Sequence, residues 1–311
     1  MRRTSPSSVL FSTYNMLNLI PGESPHYAAI VSVIGSLGTD VIAVQEILAP
    51  DPETAAFRLM HLARDTGMRC AVPGPDGSVA AVAFGGHGYH AGLMWRDGIE
   101  AVPGSLYRLG ARDFWHGLAM VTLDVGGTLV QHGTFHASPF GRVLRADQNE
   151  RLVAAVTRRA EVAPALIGAD WNTVCADRIE AADGSWRLYE PADPYAGVPW
   201  FDDLIHQCEW DYDQAGARRH WADRRAGDVL WAGGLHDAAA VTSAPWQPSA
   251  GHYQDDVYAA HGVRRRIDAV RVTGQLIPAL RGHEVFSSAD AVAASDHLPV
   301  TVEYLPSATH S

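Results

Sequence analysis

The chain has 311 residues, 47% hydrophobic and 19% charged, a balance that suits a large packed core. It carries 24 arginines, no lysine and 35 acidic residues, for a net charge of -11. The missing lysine excludes a P-loop, a Schiff-base enzyme and a kinase-type site, and the acidic balance argues against a protein that coats long nucleic acid nonspecifically.

In chain order, Arg2-Arg3 is not followed by an apolar export segment, because Ser12, Thr13, Asn15 and Asn18 interrupt the run from Val9 to Leu19. No stretch reaches the roughly 18 apolar residues of a spanning helix. Cys70, Cys175 and Cys208 are widely spaced, without a Cys-x-x-Cys pair. These features lead us to expect reduced thiols in a cytoplasmic protein without a membrane span, and we expect a monomer.

Residues 9–14 read as a first strand buried on both faces and ending at Asn15. Residues 27–37, with apolar Ala28, Val31, Ile34 and Leu37, read as a helix that Gly38 stops. Residues 40–44 form a second strand with Gln45-Glu46 at its tip. Residues 52–66 form a second helix with Phe57, Met60 and Ala63 inward. A glycine-rich loop or weak hairpin spans 74–88, strands span 92–95 and 117–125, and Gly126-Gly127 turns the latter into a strand at 129–135. Residues 142–160 form an amphipathic helix, with Val143, Ala146, Leu152, Val153 and Val156 on one side and Arg145, Asn149 and Glu150 on the other. A strand at 164–167 delivers Asp170 and Asn172. Residues 173–262 are weakly periodic and rich in tryptophan, and their loops are expected to border the site. Strands at 266–272 and 300–304 complete the core, and 305–311 reads as a frayed tail.

Polar groups recur at the ends of these apolar runs. Glu46 closes Val41-Ile42-Ala43-Val44-Gln45, an odd end for a buried strand unless a cation waits there; by itself the segment also fits an exposed carboxylate just past a strand. Asp170 and Asn172 share a face if strand geometry persists. Asp268 in Ile267-Asp268 is the natural partner of His297 in Ser295-Asp296-His297, because a carboxylate on one imidazole nitrogen fixes the tautomer and favours the imidazolium. Of 15 histidines, His136 stands out over His116, His132 and His206 only because it ends a strand. Alternation puts Arg266 on the face of Asp268, which suggests that one of Arg264-Arg265-Arg266 reaches the site.

The order Asn15, Gln45-Glu46, His136, Gly168-Ala169-Asp170-Trp171-Asn172, Ile267-Asp268, Ser295-Asp296-His297 spans nearly the whole chain and resembles the endonuclease/exonuclease/phosphatase superfamily of metal-dependent phosphoesterases. Its one mild departure is Ala169, between the Gly and Asp that the family sets side by side. The resemblance implies an α+β, four-layer α/β-sandwich with two packed, mostly antiparallel β-sheets flanked by helices. It implies Mg2+, with Mn2+ as a substitute, held by Glu46, Asn15 and Asp296. His136, Asp170, Asn172, Asp268 and His297 become the catalytic set, and either Asp170 or His297 the base. Arg266 is a possible phosphate clamp, with Tyr107 and Arg112 as weaker phosphate contacts that fit structural roles as well. The implied activity is a phosphodiesterase or nuclease. The acidic balance keeps a small-molecule, inositol or lipid phosphoester open as substrate, and an inactive binding protein on the same fold is the remote alternative.

Overall fold

The computed structural model describes residues 8–158 and 163–310. Arg2-Arg3, the expected helix end at Arg159-Ala160, and Ser311 lie outside the described residues.

Two sheets form the centre. In the first, Leu280–Val285, Val300–Tyr304, Val9–Leu19, Val41–Leu48, Tyr89–Trp95 and Val82–Ala83 lie side by side. In the second the order is Leu235–Asp237, Asp268–Thr273, Ala165–Asp170, Thr128–His136, Leu118–Val125 and Glu100–Ala101, with Tyr107–Leu109 also on Leu118–Val125. Each sheet has one parallel pair, Val9–Leu19 with Val41–Leu48 and Thr128–His136 with Ala165–Asp170. The other pairs are antiparallel.

The central strands are unbroken apolar runs because both of their faces are covered. Along Val41-Ile42-Ala43-Val44, Val41 and Ala43 face the other sheet, while Ile42 and Val44 join the core under the helices Pro25–Leu37 and Pro52–Asp65. On the second sheet Leu166 points between the sheets, and Ala165 and Ile167 pack on Leu152, Val156 and Leu230 of the helices Arg142–Thr157 and Arg225–Ala232. Helix, sheet, sheet, helix is the four-layer sandwich expected from the sequence. Helix starts follow local chemistry: the side chains of Ser24 and Asp51 accept the amides of Tyr27 and Thr54, and Gly38 stops the first helix in the left-handed region. No helix among the described residues is long and apolar enough to cross a membrane.

Several local expectations are corrected. Phe57 and Met60 are exposed, and the buried stripe of that helix is Ala55, Leu59, Leu62 and Ala63. Val143 is exposed, whereas Arg145 and Asn149 are buried, with backbone carbonyls accepting from the Arg145 guanidinium and from Asn149 Nδ2. Residues 74–88 contain half of a hairpin, Ala71–Gly74 with Gly77–Ala80. Pro306–His310 is a 3-10 turn, with Ala308 packed on the inter-sheet core. The tryptophan-rich stretch is ordered: it builds the hairpins Arg178–Glu180/Trp186–Leu188 and Cys208–Tyr212/Arg218–Ala222 and a small core around Val174, Tyr195, Leu204 and Tyr258.

The sheets approach closely beside Gly168. A Cβ there would sit 2.8 Å from Thr13 Cβ and 2.9 Å from Ala43 Cβ. Beside it Gln45 bridges the sheets, accepting from Thr13 Oγ1 (3.2 Å) and donating to Thr134 Oγ1 (3.2 Å). Gln45 is thus a buried strut between the sheets. Gly168→Ala should destabilise the protein by about 1–3 kcal/mol through overpacking, read as a lower urea midpoint with an unchanged slope; an unchanged midpoint would mean that the sheets separate freely here.

Candidate active site

Strand register assembles the site. His136 pairs with Asp170 and Asp170 with Asp268, so three adjacent strands place these side chains in a row at one edge of the second sheet. The facing edge of the first sheet supplies Asn15 and Glu46. Neither strand stops where the apolar run does. Both continue through register shifts, between Asn15 and Leu19 and between Val44 and Ile47. Glu46 has φ 63°, so the bulge re-aims its side chain out of the alternation. Among six described non-glycine residues with positive φ, Glu46, His87 and Asn172 line one cavity, a concentration of backbone strain typical of functional sites. Asn172 reaches it by a turn, not by strand alternation: the strand ends at Asp170, and the Asn172 amide donates to Asp170 Oδ1 at 2.9 Å.

Asp170 is the hub. Its Oδ2 accepts from Asn15 Nδ2 (3.1 Å) and faces His136 Nε2 (3.4 Å) and His297 Nε2 (3.8 Å). The same Asn15 amide donates to Glu46 Oε1 (3.1 Å), and the Asn18 amide donates to Glu46 Oε2 (3.0 Å). His297 Nδ1 donates to Asp268 Oδ2 (2.8 Å), which also accepts from Ser249 Oγ (2.6 Å). Burial alone would neutralise the Asp170 carboxyl, but the His297 charge, then His136 and the Asn172 amide, hold it well below the usual carboxylate range. Burial and the neighbouring Asp170 charge push Asp268 up, against the pull of His297. Burial opposes the His297 imidazolium, yet Asp268, Asp296 and Asp170 raise it well above its ordinary value. Asp170, Asp268 and His297 also lie close enough together to hold a cation, with ligand atoms within 4.8 Å of one another. The Asp268–His297 hydrogen bond makes them a proton-ordering chain first.

This edge opens into a cavity of about 400 Å³. Glu46, His136, Asp170, Asn172 and His297 line it together with His87, Tyr89, Trp115, His116, Pro139 and Phe140. Among the described residues no arginine lines it. No sequence pattern distinguishes His116, yet its ring lies 4.0 Å from that of His136. Burial first, then the His136 charge, pushes it down to about 2, so it is a neutral imidazole. His87 stacks on Trp115 at 4.2 Å and 23°. No motif marks these rim residues, because they lie on loops and at a strand entrance.

Other expected contacts lie elsewhere. Arg266 is buried between Asp237 (2.6 Å) and Glu190, away from the cavity. The ladder begins only at Asp268, so alternation does not carry back to Arg266, and two buried carboxylates claim its guanidinium. Tyr107 packs on the core around Phe114 and Leu118, and Arg112 is exposed outside the cavity. Asp296 is half-buried and acts on His297 through its charge. No residue of the 173–262 segment lines the cavity, although Ser249 and His252 brace Asp268 and Ser295 from behind.

No protein-family model matches the chain, and no curated protein matches it. Solved structures do. An endonuclease/exonuclease/phosphatase from Bacteroides vulgatus is 14% identical with a TM-score of 0.59, covering 95% of this chain and 98% of that one. A humanized D. rerio TDP2 is 12% identical with a TM-score of 0.60, covering 96% and 99%. A Bacteroides thetaiotaomicron mannosyl-6-phosphatase is 14% identical with a TM-score of 0.58, covering 94% and 98%. The likeness spans both chains in each case, and at these identities it is a likeness of fold.

Two outcomes follow from the electrostatics. In NMR titrations the His297 imidazole should stay protonated through pH 7, and Asp268→Asn, which removes the largest charge raising it, should lower its midpoint; a neutral His297 at pH 7 in the unmodified protein would refute the arrangement. Arg266→Ala should cost about 3–5 kcal/mol in denaturant unfolding by stranding Asp237 and Glu190, whereas a phosphate clamp would change substrate KM and leave stability alone.

Proposed function

We propose that this chain, built on the fold of endonuclease/exonuclease/phosphatase proteins, is a divalent-cation-dependent phosphoester hydrolase, and specifically a phosphodiesterase of nuclease type. The observation that carries the reading is Asp170: one ionised carboxylate held by Asn15, Asn172, His136 and His297 at the wall of a cavity that no arginine among the described residues lines.

The donors fit a hard cation. Glu46 and Asp170 offer carboxylate oxygens that a single Asn15 amide draws together, and the buried Asp268 Oδ1 has no hydrogen-bond partner among the described residues. Oxygen donors of this kind suit Mg2+ or Mn2+, and such an ion would neutralise charge on the phosphoryl oxygens. Asn15 donates its amide hydrogens to the two carboxylates, and its Oδ1 accepts from the Leu17 amide (3.2 Å), so in this reading it orients the ligands.

In this reading Asp170 and Asn172 align the attacking water, and the Asp170 carboxylate accepts its proton. His297, kept cationic by Asp268, donates to a phosphoryl oxygen as negative charge grows there. His136 stands beside Asp170 to protonate the leaving oxygen. The net charge of -11 favours a short or small ester over long duplex DNA, which keeps a small-molecule or lipid phosphoester as the second reading. The unpaired, buried Cys70, Cys175 and Cys208 support a cytoplasmic location.

Turnover of bis(p-nitrophenyl) phosphate should require Mg2+ or Mn2+. Asp170→Asn should lower kcat about 10²–10⁴-fold. Glu46→Gln should raise the cation concentration for half-activity by at least the roughly 10–100-fold that loss of a metal's supporting partner costs. Metal-independent turnover, or full activity in Asp170→Asn, would remove the proposal.

A further inference from the structure

Beyond the cavity, a second run of contacting aromatic rings and guanidinium groups begins two residues after Phe140. Phe140, on the rim, is 52% exposed and meets Trp115 at 6.3 Å between ring centres. Two residues on, the Arg142 guanidinium lies 4.5 Å over Trp210. Trp210 meets Trp200 edge to face at 5.6 Å, and Arg218 lies 4.1 Å over Trp200. None of Trp115, Arg142, Trp200 and Trp210 is fully buried, and Arg218 is exposed.

The hairpin Cys208–Tyr212/Arg218–Ala222 explains the sorting. Trp210 pairs with His220 and Tyr212 with Arg218, so these four share a face. Asp211 pairs with Arg219 on the opposite face and holds it with two hydrogen bonds, at 2.9 and 2.7 Å. Arg218 therefore makes no ion pair among the described residues. Arg142 has only long contacts, 3.7 Å to Asp223 and 3.9 Å to Glu209, and Arg225 lies closer to both of those carboxylates.

We propose that this strip is a track for single-stranded nucleic acid, running from the outer hairpin along Trp200, Trp210 and Arg142 to Phe140 at the cavity. The proposal rests on the phosphodiesterase reading and names its substrate. Rings and guanidinium planes offer flat faces on which unpaired bases stack whatever their sequence, and the under-paired Arg142 and Arg218 meet the phosphates between them. A duplex hides those base faces and calls for a broad positive surface, which a chain of charge -11 does not carry.

The test is fluorescence anisotropy of a labelled 12-nucleotide oligo-dT with the full chain in EDTA, where binding is read without cleavage. Trp200→Ala should weaken Kd about tenfold. Arg218→Ala, on the exposed hairpin, should weaken Kd and lower the slope of log Kd against log salt by about 0.7. Both variants should turn over bis(p-nitrophenyl) phosphate like the unmodified protein, which also shows that they fold. Unchanged oligo-dT affinity in both variants overturns the track, and so does equal binding of a duplex of the same length. If no preparation hydrolyses the small ester, the hydrolase reading falls on that result alone, and the anisotropy still decides the track.

Discussion

At the edge of the cavity one side-chain amide reaches across the gap between the two sheets. Asn15 comes from the first sheet, and its two amide hydrogens reach Glu46 on its own sheet and Asp170 on the other. This is possible only because the sheets are close just below it. Thr13 lies against Gly168; two residues further along each strand, with the strand period of two, Asn15 meets Asp170. Gly168 sets the spacing, Gln45 ties it from beneath, and Asn15 uses it. The position of Asp170, and through it of His136 and His297, depends on that spacing.

The site concentrates groups that are costly to bury. Asp170, Asp268, His136 and His297 are all nearly inaccessible. Such groups persist when each meets a partner of opposite charge or a fixed dipole. Here the partners divide the charges unequally: Asp170 is drawn firmly to the anion, His297 to the cation, and His116 to neutrality. A carboxylate, an imidazolium and an uncharged imidazole therefore line one small volume, each held in a different charge state by its surroundings.

The layered fold was legible in the sequence because its strands and helices announce themselves by period. Strands with both faces covered are unbroken apolar runs, and polar residues at their ends marked Glu46, His136, Asp170 and Asp268. What escaped was geometry with no period. The bulge at Glu46 and the turn at Asn172 lie where φ turns positive, and nothing in residue type announces it at a glutamate. Helix phases slipped where burial and polarity part company, as at Arg145, whose charge reads as a surface residue although carbonyls hold it inside. Arg266 looked like a substrate contact because its counter-ions, Asp237 and Glu190, are distant in sequence. His116 and Trp115 gained meaning only when the cavity folded around them.

Arg145 makes the cavity wall and the outer segment one mechanical unit. Its guanidinium donates to the carbonyls of Ser138 and Pro139, on the loop that forms the wall, and to that of His206, in the segment beyond. Across the same seam Phe140 meets the His206 ring at 5.1 Å. Burial pushes this guanidinium down to about 10, and it makes no ion pair among the described residues, so it is held by carbonyls, with only a long contact to Gln207 besides. If His206 swings outward, the arginine loses its shortest hydrogen bond and the wall loses its brace. One guanidinium therefore ties the cavity wall to the segment beyond it.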